Sequence, residues 1–306
     1  MYDFINPLKG EIAALTAAFL WAVSSIIYAA LGQRIPPLQL NFSKGLIAIG
    51  LLIFTLFIQG QAFPTIGLLP LSFLLLSGVI GIGLGDTAYF SALNQLGARR
   101  TLLLEMLAPP LSALIALIFV GERLGLNAWL GMALTLFGVC WVIVERSPYS
   151  VSTNPHPIKG IVWALLAAIA QATGAVLSHY ALASSDITPL WSTLLRLIAG
   201  TFIVFLLLCF PNSEKKSITR QFQVFQSAKS MGIITLTAFG STYLGIWLQQ
   251  TAFKFSPVGI AQTLTSTSPL FVLPIAFWLG EKISIRAVLG VLIALMGIGV
   301  LFFGKA

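Results

Sequence analysis

Residues 109–125 read PPLSALIALIFVGERLG, and residues 268–284 read SPLFVLPIAFWLGEKIS. Shifted by 159 positions, Pro110 falls on Pro269, Gly121 on Gly280, Glu122 on Glu281 and Arg123 on Lys282. The same shift carries Gly131 onto Gly290 and Gly138 onto Gly297. Toward the start of each copy, Lys9-Gly10 resembles Lys159-Gly160, and a Pro-Leu pair opens the following segment at Pro37 and Pro189. The chain is therefore duplicated, with halves 1–147 and 148–306.

Both copies are written in an alphabet for lipid. Hydrophobic residues make up 58% of the 306 and charged residues 8%, with a mean hydropathy of +0.96. A soluble domain carries roughly 25% charged residues, so a soluble fold is excluded and the bilayer is the first partner. The net charge of +8 is no nucleic-acid signature, because the Lys and Arg residues sit mostly at segment ends, where they meet phospholipid headgroups. Cys140 and Cys209 lie inside apolar runs without CxxC or metal spacing, and read as small hydrophobes. No metal or cofactor is expected. No basic n-region or cleavage site precedes the first apolar stretch, which reads as a retained span.

Spanning takes about 20 apolar residues. Ten segments qualify, near 11–30, 38–58, 69–94, 101–120, 125–144, 160–182, 189–210, 231–253, 258–279 and 285–303. The length of each run and the lack of period-two alternation make them helices. The expected fold is an all-α integral membrane protein with ten transmembrane helices as two inverted five-helix repeats. Inversion follows from the odd count per half, since five spans return the chain on the opposite face. Two membrane halves so related are the usual scaffold of a secondary transporter. Loop charges place the side holding Arg34, Arg99, Arg100, Arg146, Lys159 and Lys282 in the cytoplasm.

Two five-helix halves, each with a Pro in its fourth helix, then Gly-Glu-basic, then a Gly-bearing fifth helix, resemble the EamA family of the drug/metabolite transporter superfamily. The resemblance covers nearly the whole chain, and the basic residue in the second helix of each half, Lys44 and Arg196, also fits it. It implies ten helices around a central cavity and transport, often export, of amino acids and other small metabolites across a cell membrane. Family members usually keep both termini in the cytoplasm, opposite to the charge count, so orientation stays open.

A cavity would be lined by polar and aromatic stripes at helical spacing. Helix 1 offers Trp21, Ser24, Ser25 and Tyr28 on one face. Gln171, Ser178 and His179 follow in helix 6, Tyr243, Trp247 and Gln250 in helix 8, Gln262 and Ser266 in helix 9. The competing reading makes such stripes helix–helix glue. Ionisable side chains in the apolar core are a sharper signal, since each costs several kcal/mol unless paired or wet. At about 1.5 Å rise per residue, Lys44, Asp86 and Glu105 all lie roughly 10–16 Å from one membrane face. Asp86 shares its helix face with Tyr89. Either acid could bind a proton or a substrate ammonium with Lys44 tuning it, or the group is a static ion pair. Arg196 lies near the opposite face, where it either snorkels to headgroups or receives a substrate carboxylate.

The remaining marked positions are mechanical. Glu122 and Glu281 close their helices beside a base and are expected to bond a neighbouring helix end. Pro110 and Pro269 each remove a donor from the carbonyl one turn earlier, Met106 and Thr265, making kinks or hinges. Gly138 and Gly297, with Gly131 and Gly290, let helices 5 and 10 approach closely. Among functions, an exporter of amino acids or similar amphipathic metabolites, driven by protons or another gradient, comes first. A sugar-phosphate or nucleotide-sugar exchanger needs several cationic groups in one place, and only Lys44 and Arg196 qualify. A passive channel or non-transporting membrane protein remains. An intramembrane enzyme would need a nucleophile–base pair or metal cluster that the sequence does not show.

Overall fold

The computed structural model describes residues 8–31, 35–96, 98–145, 157–209, 228–278 and 284–303, all in helices and short connections with no strand among them. In chain order the helices are α1 (Lys9–Leu31) and α2 (Pro37–Ile58). Next comes α3, in three pieces (Leu68–Ser77, a π-helical Gly78–Gly85, Asp86–Leu96). Helix α4 has two pieces (Ala98–Glu105, Ala108–Phe119), followed by α5 (Leu126–Glu145). The second half holds α6 (Pro157–Ala183), α7 (Pro189–Cys209) and α8 (Ala228–Ala238, a π-helical Phe239–Leu244, Gly245–Phe255). It ends with α9 (Val258–Thr265, Ser268–Trp278) and α10 (Ile285–Phe303). Among the described residues, nine helices, α2 to α10, are long and apolar enough to cross a membrane.

Local chemistry sets the boundaries. Pro36 and Pro37 open α2, where a missing N–H removes no intrahelical bond. Gly60, at φ +60°, closes it by turning the Gln61 N–H back to the Leu56 carbonyl at 3.2 Å. Gly121, at φ +73°, does the same for α4, aiming the Glu122 N–H at the Ala116 carbonyl. Both positions need the left-handed conformation that glycine adopts without strain.

The copies share irregularities as well as residues. Shifted by 159 positions, the end of the π segment at Gly85 falls on the end of the other at Leu244, and the break in α4 falls within one residue of the break in α9. Each break stands where a proline interruption was expected, as a gap between two helical pieces. Pro109 and Pro110, like Pro269, stand in the first turn of a fresh helical piece, where a helix has no use for their N–H. The preceding turns close through Leu107 N–H to Leu104 and Thr267 N–H to Leu264. Inside a helix proper it is Pro274 that sits there.

Helices α5 and α10 form the tightest seam. A Cβ on Gly138 would lie 2.6 Å from the Gly290 carbonyl oxygen and 2.8 Å from the Ala294 Cα. One on Gly297 would lie 2.8 Å from the Gly131 carbonyl oxygen and would strike Thr135. The rest of the bundle is uneven. At the end where α4 turns into α5, α6 into α7 and α8 into α9, the second piece of α4 packs along the first piece of α9, and the first piece of α3 packs on α6. The matching pairs at the other end, the first piece of α4 with the second of α9 and the first piece of α8 with α1, barely touch. One end is closed by an alanine-rich core that includes Ala113, Ala116, Ala175, Phe253, Val258 and Ala261.

Candidate functional site

Asp86 follows directly on the π segment of α3, and α2 runs beside it. Its Oδ2 accepts a 2.6 Å hydrogen bond from Lys44 Nζ, which also lies 5.0 Å from the centre of the Phe90 ring. The other carboxylate oxygen accepts from Gln171 Nε2 at 3.4 Å, and Gln262 Nε2 reaches the Gln171 carbonyl at 3.5 Å. Four helices thus converge on one buried ion pair. Asn41, one turn before Lys44, fixes the neighbourhood by donating to the Ile82 carbonyl at 3.1 Å and to Thr87 Oγ1 at 3.4 Å. Ile82 belongs to the π segment, whose widened turn redirects its carbonyls. Nothing singled Asn41 out in the sequence except its place one turn from Lys44.

Glu105 ends the first piece of α4, close enough to interact electrostatically with both Asp86 and Tyr89. Its Oε1 is buried without a hydrogen-bond partner. Arg196 overturns the snorkelling reading. It is 3% exposed and points into the protein, within electrostatic range of Asp86. The sequence placed it near a membrane surface, but α7 packs against the π segment of α3, so its side chain faces backbone.

The polar stripes divide between two kinds of contact. Trp21 Nε1 donates to the Ser241 carbonyl at 2.8 Å, and the Tyr28 hydroxyl meets Ser241 Oγ at 2.8 Å, tying α1 to the π segment of α8. Tyr243, from the same segment, shares a 2.7 Å bond with Thr55 of α2, and its ring centre lies 5.9 Å from that of Trp247. Ser25 is exposed and bonds back to Ala22 of its own helix. Ser178 and Gln250 are fully buried and bonded to each other, with Ser192 adding a 2.9 Å bond to the same Gln250 oxygen. Those two therefore join α6, α7 and α8 rather than face an open space. Gln262 Oε1 accepts from Thr265 at 3.3 Å, and Ser266 stands in the break of α9.

A second polar group holds the closed end. Glu122 Oε2 accepts from the Val258 N–H at 3.3 Å, at the start of α9, and lies 3.8 Å from His179 Nε2. His179 Nδ1 in turn faces the Phe253 carbonyl at 2.5 Å. Lys254 Nζ donates to the Ile187 carbonyl at 2.6 Å, and Lys9 sits 4.4 Å over the Phe255 ring. A carboxylate at a helix N-terminus is favoured by the local dipole, which explains why an acid follows Gly121. Glu122→Gln is expected to lower stability by about 0.5–1 kcal/mol, read by unfolding in mixed micelles, with the loss shrinking at high salt. An unchanged midpoint would remove the contact from the list of end-closing forces. Glu281, the paired acid, lies outside the described residues, as do Gly280 and Lys282. Among the described residues no cluster of His, Cys, Asp or Glu could hold a metal ion.

An apolar helical bundle with a buried acid–base pair at its centre defines an integral, multi-pass membrane protein. The model of the EamA-like transporter family matches residues 8–144 and again 158–303. The chain belongs to that family. An uncharacterized transporter from Archaeoglobus fulgidus is 26% identical over 290 residues, covering 94% of this chain and 95% of the relative. A solved crystal structure superposes with a TM-score of 0.75 at 16% identity over 95% of each chain, a likeness of fold.

Proposed function

We propose that the chain is a secondary transporter with ten transmembrane helices in two inverted halves, 1–147 and 148–306. It moves a small amphipathic metabolite, with amino acids leading, out of the cell across the plasma membrane by alternating access around a central cavity. The observation that carries this reading is the uneven packing of a duplicated bundle. Two copies of one fold pack tightly at one end and part at the other, and exchanging those roles between the copies would open the closed end. Repeated halves with broken helices at their interface are the architecture in which such exchange occurs.

Proton coupling is assigned to Asp86 and Glu105. Two acids beside one base can hold a proton that a single ion pair cannot, and Glu105 keeps an unpaired oxygen in this state. The sugar-phosphate alternative is disfavoured because Lys44 is already engaged, leaving Arg196 as a single cation for a doubly charged group.

Reconstituted vesicles loaded with a metabolite panel test the reading. Counterflow of at least one solute, accelerated by a pH gradient, is expected; Glu105→Gln should abolish the acceleration while leaving counterflow measurable. Absence of counterflow for every solute would overturn transport, and an unaltered pH response in both Glu105→Gln and Asp86→Asn would overturn coupling. Inversion is tested separately, with cysteines placed after Gly121 and after Gly280. Labelling from one side should reach one tag and not the other.

A further inference from the structure

We infer that Arg196 is the anchoring site for a carboxylate of the transported solute, an inference that rests on the transport reading above. The guanidinium is 3% exposed, and its Nε and Nη1 are buried without a hydrogen-bond partner. A buried cation persists when it is paired, and no acid among the described residues lies within salt-bridge distance of this one.

The duplication explains the vacancy of a partner. Lys44 and Arg196 are each the eighth residue of a helix opened by a Pro-Leu pair, α2 and α7. Lys44 finds Asp86 on the following helix of its own half. Shifted by 159 positions, Asp86 falls on Gly245, so the following helix offers Arg196 no acid. Asp86 lies within electrostatic range of Arg196 but forms its hydrogen bonds with Lys44 and Gln171.

Glycines let the neighbouring backbones close on the guanidinium. A Cβ on Gly81 would come within 3.4 Å of Arg196 Nη2, and one on Gly174 within 3.1 Å of the Gly81 Cα. A Cβ on Gly78 would strike the Arg196 backbone. Glycines on α3 and α6 thus form the walls, and α3 runs from the closed end toward the open one. A solute entering from the open end meets Glu105 and Asp86 before it reaches Arg196. A planar carboxylate matches the fork of a guanidinium, whose N–H groups are fixed in one plane. A neutral group of the same shape would leave the charge uncompensated.

Thermal unfolding of the purified full-length protein tests this with acetate, lactate, pyruvate and the twenty amino acids, each beside its carboxamide at equal chloride. At least one carboxylate should raise the midpoint by about 2–5 °C, and its carboxamide should not. Arg196→Gln should erase that rise and Arg196→Lys should keep part of it. Gly81→Ala, which retains the charge and fills the wall, should weaken binding at least tenfold. The assignment is overturned if carboxamides stabilise equally, if no carboxylate stabilises, if chloride alone reproduces the effect, or if Arg196→Gln responds as the parent does. Counterflow run on the same Arg196→Gln vesicles separates the two readings. Retained counterflow with unchanged carboxylate preference sinks only the anchoring role, whereas a parent protein inert toward every solute sinks transport itself.

Discussion

Asp86→Asn is expected to destabilise the folded protein by about 3–5 kcal/mol, the range for breaking one side of a buried ion pair. Lys44 is 7% exposed, and its Nζ makes its 2.6 Å bond to the carboxylate that the substitution neutralises. Asparagine keeps the shape and can still accept a bond, but the ammonium then stands in the apolar interior without a counter-charge. The companion variant decides what the pair is for. Lys44→Met with Asp86→Leu removes both charges and replaces them with apolar groups of similar volume, an exchange that is often neutral or stabilising. The double variant should therefore recover most of the lost stability while its vesicles lose the response to a pH gradient. Recovery of stability together with an intact pH response would make the pair a structural contact alone. A single variant as stable as the parent would show that water or another acid already shields Lys44.

Gly138→Leu and Gly297→Leu should be the most damaging of the glycine substitutions. Overpacking a filled interior costs about 1–3 kcal/mol when side chains can shift. Here the obstacles are backbone atoms of the facing helix, which cannot rotate aside, so the loss should reach or exceed the top of that range. Folded yield and unfolding midpoint in detergent both report it. Gly299 provides the control, since it lies on the same helix as Gly297 and a Cβ there would meet nothing within 4 Å. Gly299→Leu should match the parent. Equal behaviour of Gly297→Leu and Gly299→Leu would refute the seam.

Much of the architecture could be read from residue order. Spacing alone brought Lys44 and Asp86 to one depth, because both lie in regular helix measured from a nearby end, and 1.5 Å per residue is enough for that. The seam glycines were equally visible, being seven apart in both copies. The π segments were not. Glycine at four of the eight positions of GVIGIGLG marks a weakened helix in α3 but not a π turn, which accompanies the Asn41 bond and the packing of α7. Arg196 misled for a related reason. Its depth along α7 was correct, but the direction of its side chain depends on Gly78, Gly81 and Gly174, which belong to two other helices. The prolines gave the place of each interruption but not its form, since a proline reads alike as a kink or as the start of a new helix. The hydroxyl stripes gave the faces without the partners, so Ser178 and Gln250 could not be told from residues facing open space.

Duplication gives the two copies common machinery, and the glycine standing where the first copy has aspartate marks a departure from it. Positions that agree between the copies serve the shared mechanics of any member built this way. Positions where they have drifted apart carry what is particular to one cargo. Laying the chain against itself therefore yields a short map of where the copies have diverged, with Asp86 opposite Gly245 first on it.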